Sequence, residues 1–327
     1  MSIAPTNIAL ANIALGVNLS FCVKRWVTPQ LWAPVVKEKL GLDLVQFSFD
    51  LVDPTWPDDL LAELAADLRK VPAQHGVTIH SAFIGLAHYT FNQLLHPNPR
   101  VRDVAEQWLA RAYRFAAMAG ITRVGGPLGA IAARTDGIEM DEIPEADYAD
   151  LVARAKRLSI VAKDAGMTEF NHNLETGRSY FGKIVTTHTY DERVATIRHA
   201  KELGLRTCVG GIFGMGESPE HRTELAMDLR SLDVDEVPVN FLVSIDGTRL
   251  EKITPLQPLD MLQILACLRL ALPRQNIFVA AGRQFLGQLQ PLIFAAGASG
   301  MMIGDYLTTP NRSVQDDLDM LAQLGLR

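Results

Sequence analysis

The chain has 327 residues, with 31 Lys plus Arg against 37 Asp plus Glu and a formal charge of −6. At roughly twice the usual ~150-residue domain and 48% apolar, it is read as one large domain or two small ones, and disorder is excluded. The acidic balance counts against nucleic acid, whose phosphates need a basic face, and three cysteines (Cys22, Cys208, Cys267) are too few for a disulfide framework, which points to a reducing, cytoplasmic setting.

Residues 1–23 carry no charge but lack a basic leader, contain Asn7, Asn12 and Asn18, and are too short and polar to span a membrane. The tandem copies beginning at Asn7 and Asn12 read as a local extension. Short, continuous apolar runs then recur at 15–19, 44–49, 77–83, 121–125, 167–174, 205–212, 237–245, 277–281 and 300–303, as expected of strands covered on both faces.

Helical periodicity separates them. Residues 58–70 begin with acids and end in Arg69 and Lys70, matching the helix dipole. Residues 104–118 stop before Gly120, a C-cap signal. A long loop over 127–144 precedes a helix at 146–165. Thr189 with Glu192 forms a capping box for a helix ending near Gly204; Ser218-Pro219 and Ser313 with Asp316 open two more. Strand–helix alternation implies parallel pairing. The fold class expected is therefore α/β, a TIM-barrel-like (βα) barrel with parallel strands, eight in number or an irregular nine. Run 15–19 is the one expected to be displaced, because termini are easiest to leave out.

Two resemblances follow from particular motifs. Gly16-Val-Asn-Leu19, Leu44-Val-Gln-Phe47, Thr78-Ile-His-Ser-Ala-Phe83 and the stretch from Ile121 to Gly129 resemble strand ends of xylose-isomerase-like sugar isomerases and epimerases, over about residues 1–169. Asn171-His-Asn-Leu-Glu175, Thr186-Thr-His-Thr-Tyr-Asp-Glu-Arg193 and Cys208-Val-Gly-Gly-Ile-Phe-Gly-Met-Gly-Glu217 resemble biotin synthase, a radical S-adenosylmethionine enzyme. So do Val237-Pro-Val-Asn-Phe-Leu-Val243, Ala281-Gly-Arg283 and Gly304-Asp-Tyr-Leu-Thr-Thr-Pro310, over 170–327.

The second resemblance implies a [4Fe–4S] cluster on a Cys-x3-Cys-x2-Cys run, and no two cysteines here have that spacing. Cys208 and Arg283 match two ligands of that family's second cluster. The first implies a divalent metal held by later strand ends, to which only Glu175 lies near. The leading expectation is thus a recombined or engineered single-domain barrel (1–327), joined near 169–171. It would have no complete native active site, no iron–sulfur cluster, no cofactor and no enzymatic activity, and would serve as a test of whether two fragments fold together. The rival is a metal-dependent sugar or sugar-phosphate isomerase or epimerase. A third reading is a protein retaining affinity for S-adenosylmethionine or dethiobiotin.

The candidate site residues are Asn171, Asn173, Glu175, Asn240, Arg283 and His80, with a small polar ligand or anion at the barrel mouth as partner. Asn171, Asn173 and Glu175 alternate along one strand end and face one way; the resemblance gives them cofactor-ribose and dethiobiotin contacts, and the alternative is a satisfied polar lumen. Asn240 reads the same two ways. Arg283 offers a bidentate anion contact or an ion pair with a rim acid. His80 offers a sugar hydroxyl contact or a structural role. No metal is expected; were one bound, Glu175, Glu217 and Asp246 at predicted strand ends would be its ligands. Gly210, Gly211, Gly214 and Gly216 read as a tight turn or an anion-binding loop.

Overall fold

The computed structural model describes residues 16–129, 145–185, 189–304 and 311–326. The tandem copies at 7–15, most of the expected loop at 127–144, Thr186 to His188 of the second motif, and residues 305–310 lie outside the described residues. The chain divides into two compact units, with the boundary between Glu169 and Phe170.

In the first unit, β1 (Gly16–Asn18), β2 (Leu44–Ser48), β3 (Thr78–Phe83) and β4 (Val124–Gly125) form one sheet in that order, its pairs parallel. β1 is not displaced: Gly16, Val17 and Asn18 register with Leu44, Val45 and Gln46. Glycine permits the approach, since a Cβ at Gly16 would sit 2.9 Å from the Leu44 Cβ.

Around this sheet run α1 (Pro29–Pro34), α2 (Asp58–His75), α3 (Leu86–Tyr89), α4 (Pro99–Met118) and α5 (Glu145–Asp164). α2 passes the expected end at Lys70 because Leu61, Ala65, Leu68 and Val71 continue one buried stripe. It stops at Gly76, whose φ of 65° suits glycine. α4 starts five residues before the expected 104: Asn98 caps it, accepting from the Arg100 amide at 2.9 Å, and Pro99 fills the first position. Phe47, Phe49, Trp108 and Phe115 meet ring to ring in the core.

The second sheet runs β10-β9-β8-β6-β5, with β7 also on β8. In chain order its strands and the helices between and after them are β5 (Glu169–Asn171), α6 (Arg178–Ile184), α7 (Tyr190–Glu202), β6 (Arg206–Cys208), β7 (Gly211–Phe213), α8 (Pro219–Ser231), β8 (Glu236–Phe241), α9 (Pro258–Ala271), β9 (Asn276–Val279), α10 (Leu292–Ala295), β10 (Gly300–Met301) and α11 (Val314–Gln323).

The single strand expected at 205–212 is two, which raises nine runs to ten strands among the described residues. Both pieces pair with β8: Cys208 with Glu236, and Gly211 with Val239. The Thr189–Glu192 capping box is present. At α8 the third helical residue is His221, whose Nδ1 accepts from the Ser218 amide at 2.9 Å. Among the described residues no helix is long and apolar enough to cross a membrane.

Candidate ligand-binding site

Beyond β5 the chain keeps a loose ladder with its neighbour. The Leu174 amide donates to the Gly210 carbonyl at 2.9 Å, and the Ile212 amide to the Glu175 carbonyl at 2.8 Å. Side chains fill the gaps between these bonds. Asn171 Nδ2 donates to Cys208 Sγ at 3.1 Å, and Asn173 Oδ1 accepts from the Gly210 amide at 3.0 Å. On β8, Asn240 Nδ2 reaches the Gly211 carbonyl at 3.3 Å, and its Oδ1 accepts from the Ala281 amide at 3.2 Å. Asn171, Asn173, Glu175 and Asn240 are thus linked across β5 to β8.

Glu175 has a φ of 67°, a left-handed conformation that costs a non-glycine residue free energy. Its carboxylate meets Arg193 Nη1 at 3.0 Å, and the same nitrogen donates to the Asn173 carbonyl. Arg193 also lies over the Phe181 ring, 5.7 Å from its centroid. The sequence reading missed Arg193. Its signal was a cation near the start of α7, where the dipole favours acids.

Arg283 is not at an open mouth. It is fully buried and clasps Asp317 of α11, with Nη1 to Oδ1 at 2.9 Å and Nη2 to Oδ2. Nε donates to the Met302 carbonyl at 3.0 Å, and Nη1 to Gln290 Oε1. With these partners the guanidinium is committed to the chain's own Asp317 carboxylate rather than to a ligand anion.

Glu217 is likewise enclosed. Its carboxylate accepts from the Gly214 amide at 2.8 Å, the Met215 amide at 2.7 Å and Arg222 Nε at 2.8 Å. Gly214 and Gly216, at φ 94° and 95°, shape the turn around it. The glycine loop is therefore an anion nest filled by the chain's own carboxylate. Asp246 is exposed, and among the described residues Glu175, Glu217 and Asp246 do not gather their donor atoms within 4.8 Å. The three-carboxylate metal site is not formed.

His80 belongs to the first unit, exposed, its Nε2 2.5 Å from Arg123 Nη1. That unit carries a polar ladder the sequence reading overlooked. Asn18 Nδ2 donates to Gln46 Oε1 at 2.7 Å, and Gln46 Nε2 to Ser81 Oγ at 3.2 Å. Asp50 accepts from Ser48 Oγ at 2.7 Å, Ser20 Oγ at 3.0 Å and the Leu86 amide at 3.0 Å. Burial alone would raise the Asp50 pKa; the hydrogen bonds from Leu86, Ser48, Ala87 and Ser20 outweigh it and hold the carboxyl below its ordinary range. Gln46 and Ser48 alternate with Phe47 and Phe49 inside the run 44–49 read as apolar, and Asp50 continues the period-two signal just past its end.

Comparison with known proteins separates the two resemblances. The radical SAM superfamily model matches residues 111–229, and the biotin and thiamin synthesis associated domain matches 238–327. The first match begins well before the junction expected near 169. Biotin synthase from Nitratidesulfovibrio vulgaris is 52% identical over 174 residues, 53% of this chain and 47% of the relative. That from Desulfatibacillum aliphaticivorans is 53% identical over 165 residues, half of each chain. The chain spans about half the length of the curated relatives it matches. D-allulose 3-epimerase from Methylomonas sp. aligns over 96% of both chains with a TM-score of 0.51 at 12% identity, a likeness of fold alone. Both resemblances read from the sequence are found, and so is the TIM-barrel-like α/β class.

The function expected first is corrected. Curated biotin synthases at about half identity, with the radical SAM and associated-domain matches, overturn an engineered fold test without enzymatic activity. They also overturn the label of a protein without iron–sulfur chemistry. The chain's own cysteines nevertheless do not fit a three-thiolate centre. Cys22 lies in the first unit's apolar core, where burial pushes its thiol up to about 12. Cys208 is buried on β6, and Cys267 is exposed on α9.

Proposed function

We propose that this chain is a biotin-synthase-like enzyme whose strand ends β5 to β8 bind a small polar ligand, S-adenosylmethionine or dethiobiotin. The observation that carries this is the Arg193 clamp on Asn173 and Glu175, inside the residues 111–229 matched by the radical SAM superfamily model. A carboxylate fixed in this way accepts hydrogen bonds from a vicinal diol such as a ribose. Asn240 offers a further amide across the same wall. Arg193 positions the carboxylate, and the strained backbone at Glu175 aims it. A cytoplasmic setting belongs to this reading, supported by three cysteines that form no disulfide.

Calorimetric titration of the full chain with each compound tests it. Binding of either, weakened at least tenfold in Arg193→Ala and Asn240→Ala while the far-UV spectrum is retained, supports the reading. No heat with either compound, or binding indifferent to both substitutions, overturns it.

A further inference from the structure

His221 occupies an unusual post. It is the third residue of α8, where a glutamate or glutamine commonly closes a capping box. Its Nδ1 accepts from the Ser218 amide at 2.9 Å. Acceptance requires a lone pair on Nδ1, so the bond exists only with a neutral ring protonated at Nε2.

The ring also joins two segments that flank the ligand wall. It stacks on Tyr180 of α6 with centroids 4.9 Å apart and planes at 33°. The Tyr180 hydroxyl donates to the Met215 carbonyl at 3.1 Å, in the turn held by Glu217. The His221 carbonyl packs so tightly on Gly177 that a Cβ there would lie 2.2 Å from it. Gly177 follows Glu175 by two residues.

Charged groups surround the ring from both packed helices. On α8, Glu220 and Glu224 both sense it electrostatically. The nearby cations are committed elsewhere: Arg222 to Glu217, and Arg178 of α6 to Asp191. Lys183 of α6 lies over the Tyr180 ring, 5.2 Å from its centroid. Imidazole is the side chain whose charge changes between about pH 5 and 8. A proton on Nδ1 would remove the acceptor that the Ser218 amide uses.

We propose that His221 is a proton-operated latch: neutral, it caps α8 and fixes the 214–217 turn; protonated, it releases the Ser218 amide and loosens the turn and the Gly177 segment together. The proposal rests on the cap geometry and does not depend on which ligand the wall takes.

Amide and imidazole NMR of the full chain across about pH 8 to 5 tests it. The Ser218 amide and the His221 ring are expected to move in one shared titration step, with the Met215 and Gly177 amides following. In acid the Ser218 amide should open about fivefold more often, the loss of one cap. His221→Gln keeps a capping acceptor that does not titrate; it should fold, hold the Ser218 amide in place, and abolish the step at all three amides. A Ser218 amide that does not move with the ring, or the same step persisting in His221→Gln, overturns the latch.

Discussion

Arg283 and Asp317 face each other in a two-pronged ion pair with no exposed surface on either side chain. The pair pins the segment after β9 to α11, across 34 residues of sequence. Removing one partner leaves the other charged and enclosed. Asp317→Ala is therefore expected to cost about 3–5 kcal/mol, read from the urea midpoint. Replacing both, Arg283→Met with Asp317→Leu, should recover much of the loss. Equal damage from the single and double variants would show that the pair is not the cause.

Asp50 makes stability acid-sensitive. Its folded carboxyl binds a proton less tightly than the unfolded chain does, so the unfolded state gains protons first as pH falls. The contribution is complete above about pH 4 and is lost below it. Asp50→Asn should be less stable at neutral pH and show a flatter decline below about pH 4, followed by denaturation at each pH. An unchanged slope would remove Asp50 from the account.

Glu217 is a structural anion. Glu217→Ala strands two amides and Arg222 in a buried turn and should cost about 3 kcal/mol. Glu217→Gln, which keeps one acceptor oxygen, should cost less. Thermal unfolding of the two variants side by side gives the order, and a harmless alanine would mean that water replaces the carboxylate.

At Glu175 two effects can be separated. Glu175→Ala loses the Arg193 contact and keeps the left-handed backbone, whereas Glu175→Gly loses the contact and relieves the strain. Glycine should be the more stable by about 1 kcal/mol, and both should weaken ligand binding alike. Equal stabilities would show that the segment relaxes when the carboxylate goes.

Much of the fold was legible because its signals are local. Thr189 and Glu192 sit within one turn of each other, so their capping box could be read directly, and Gly204 marks where that helix stops. The break between β6 and β7 was not read, although Gly210 and Gly211 stand at it, because the apolar residues on either side, Cys208-Val209 and Ile212, join into one strand-like run. Asn173 and Asn240 were visible as residue types at strand ends. Arg193 was not, because its role depends on α7 lying over the Asn173 carbonyl. Arg283 showed the opposite failure: the cation was obvious, but nothing near it in sequence names the acid that takes it.

Gly210 stands so near Pro238 that a Cβ would lie 1.9 Å from its carbonyl oxygen. The spacing between these strands is consequently set by a hydrogen atom. Even an alanine there would wedge β7 from β8 and carry off the seat of Asn240 on the Gly211 carbonyl. A change of one methyl group would thereby disarm the wall more thoroughly than the loss of a polar side chain upon it.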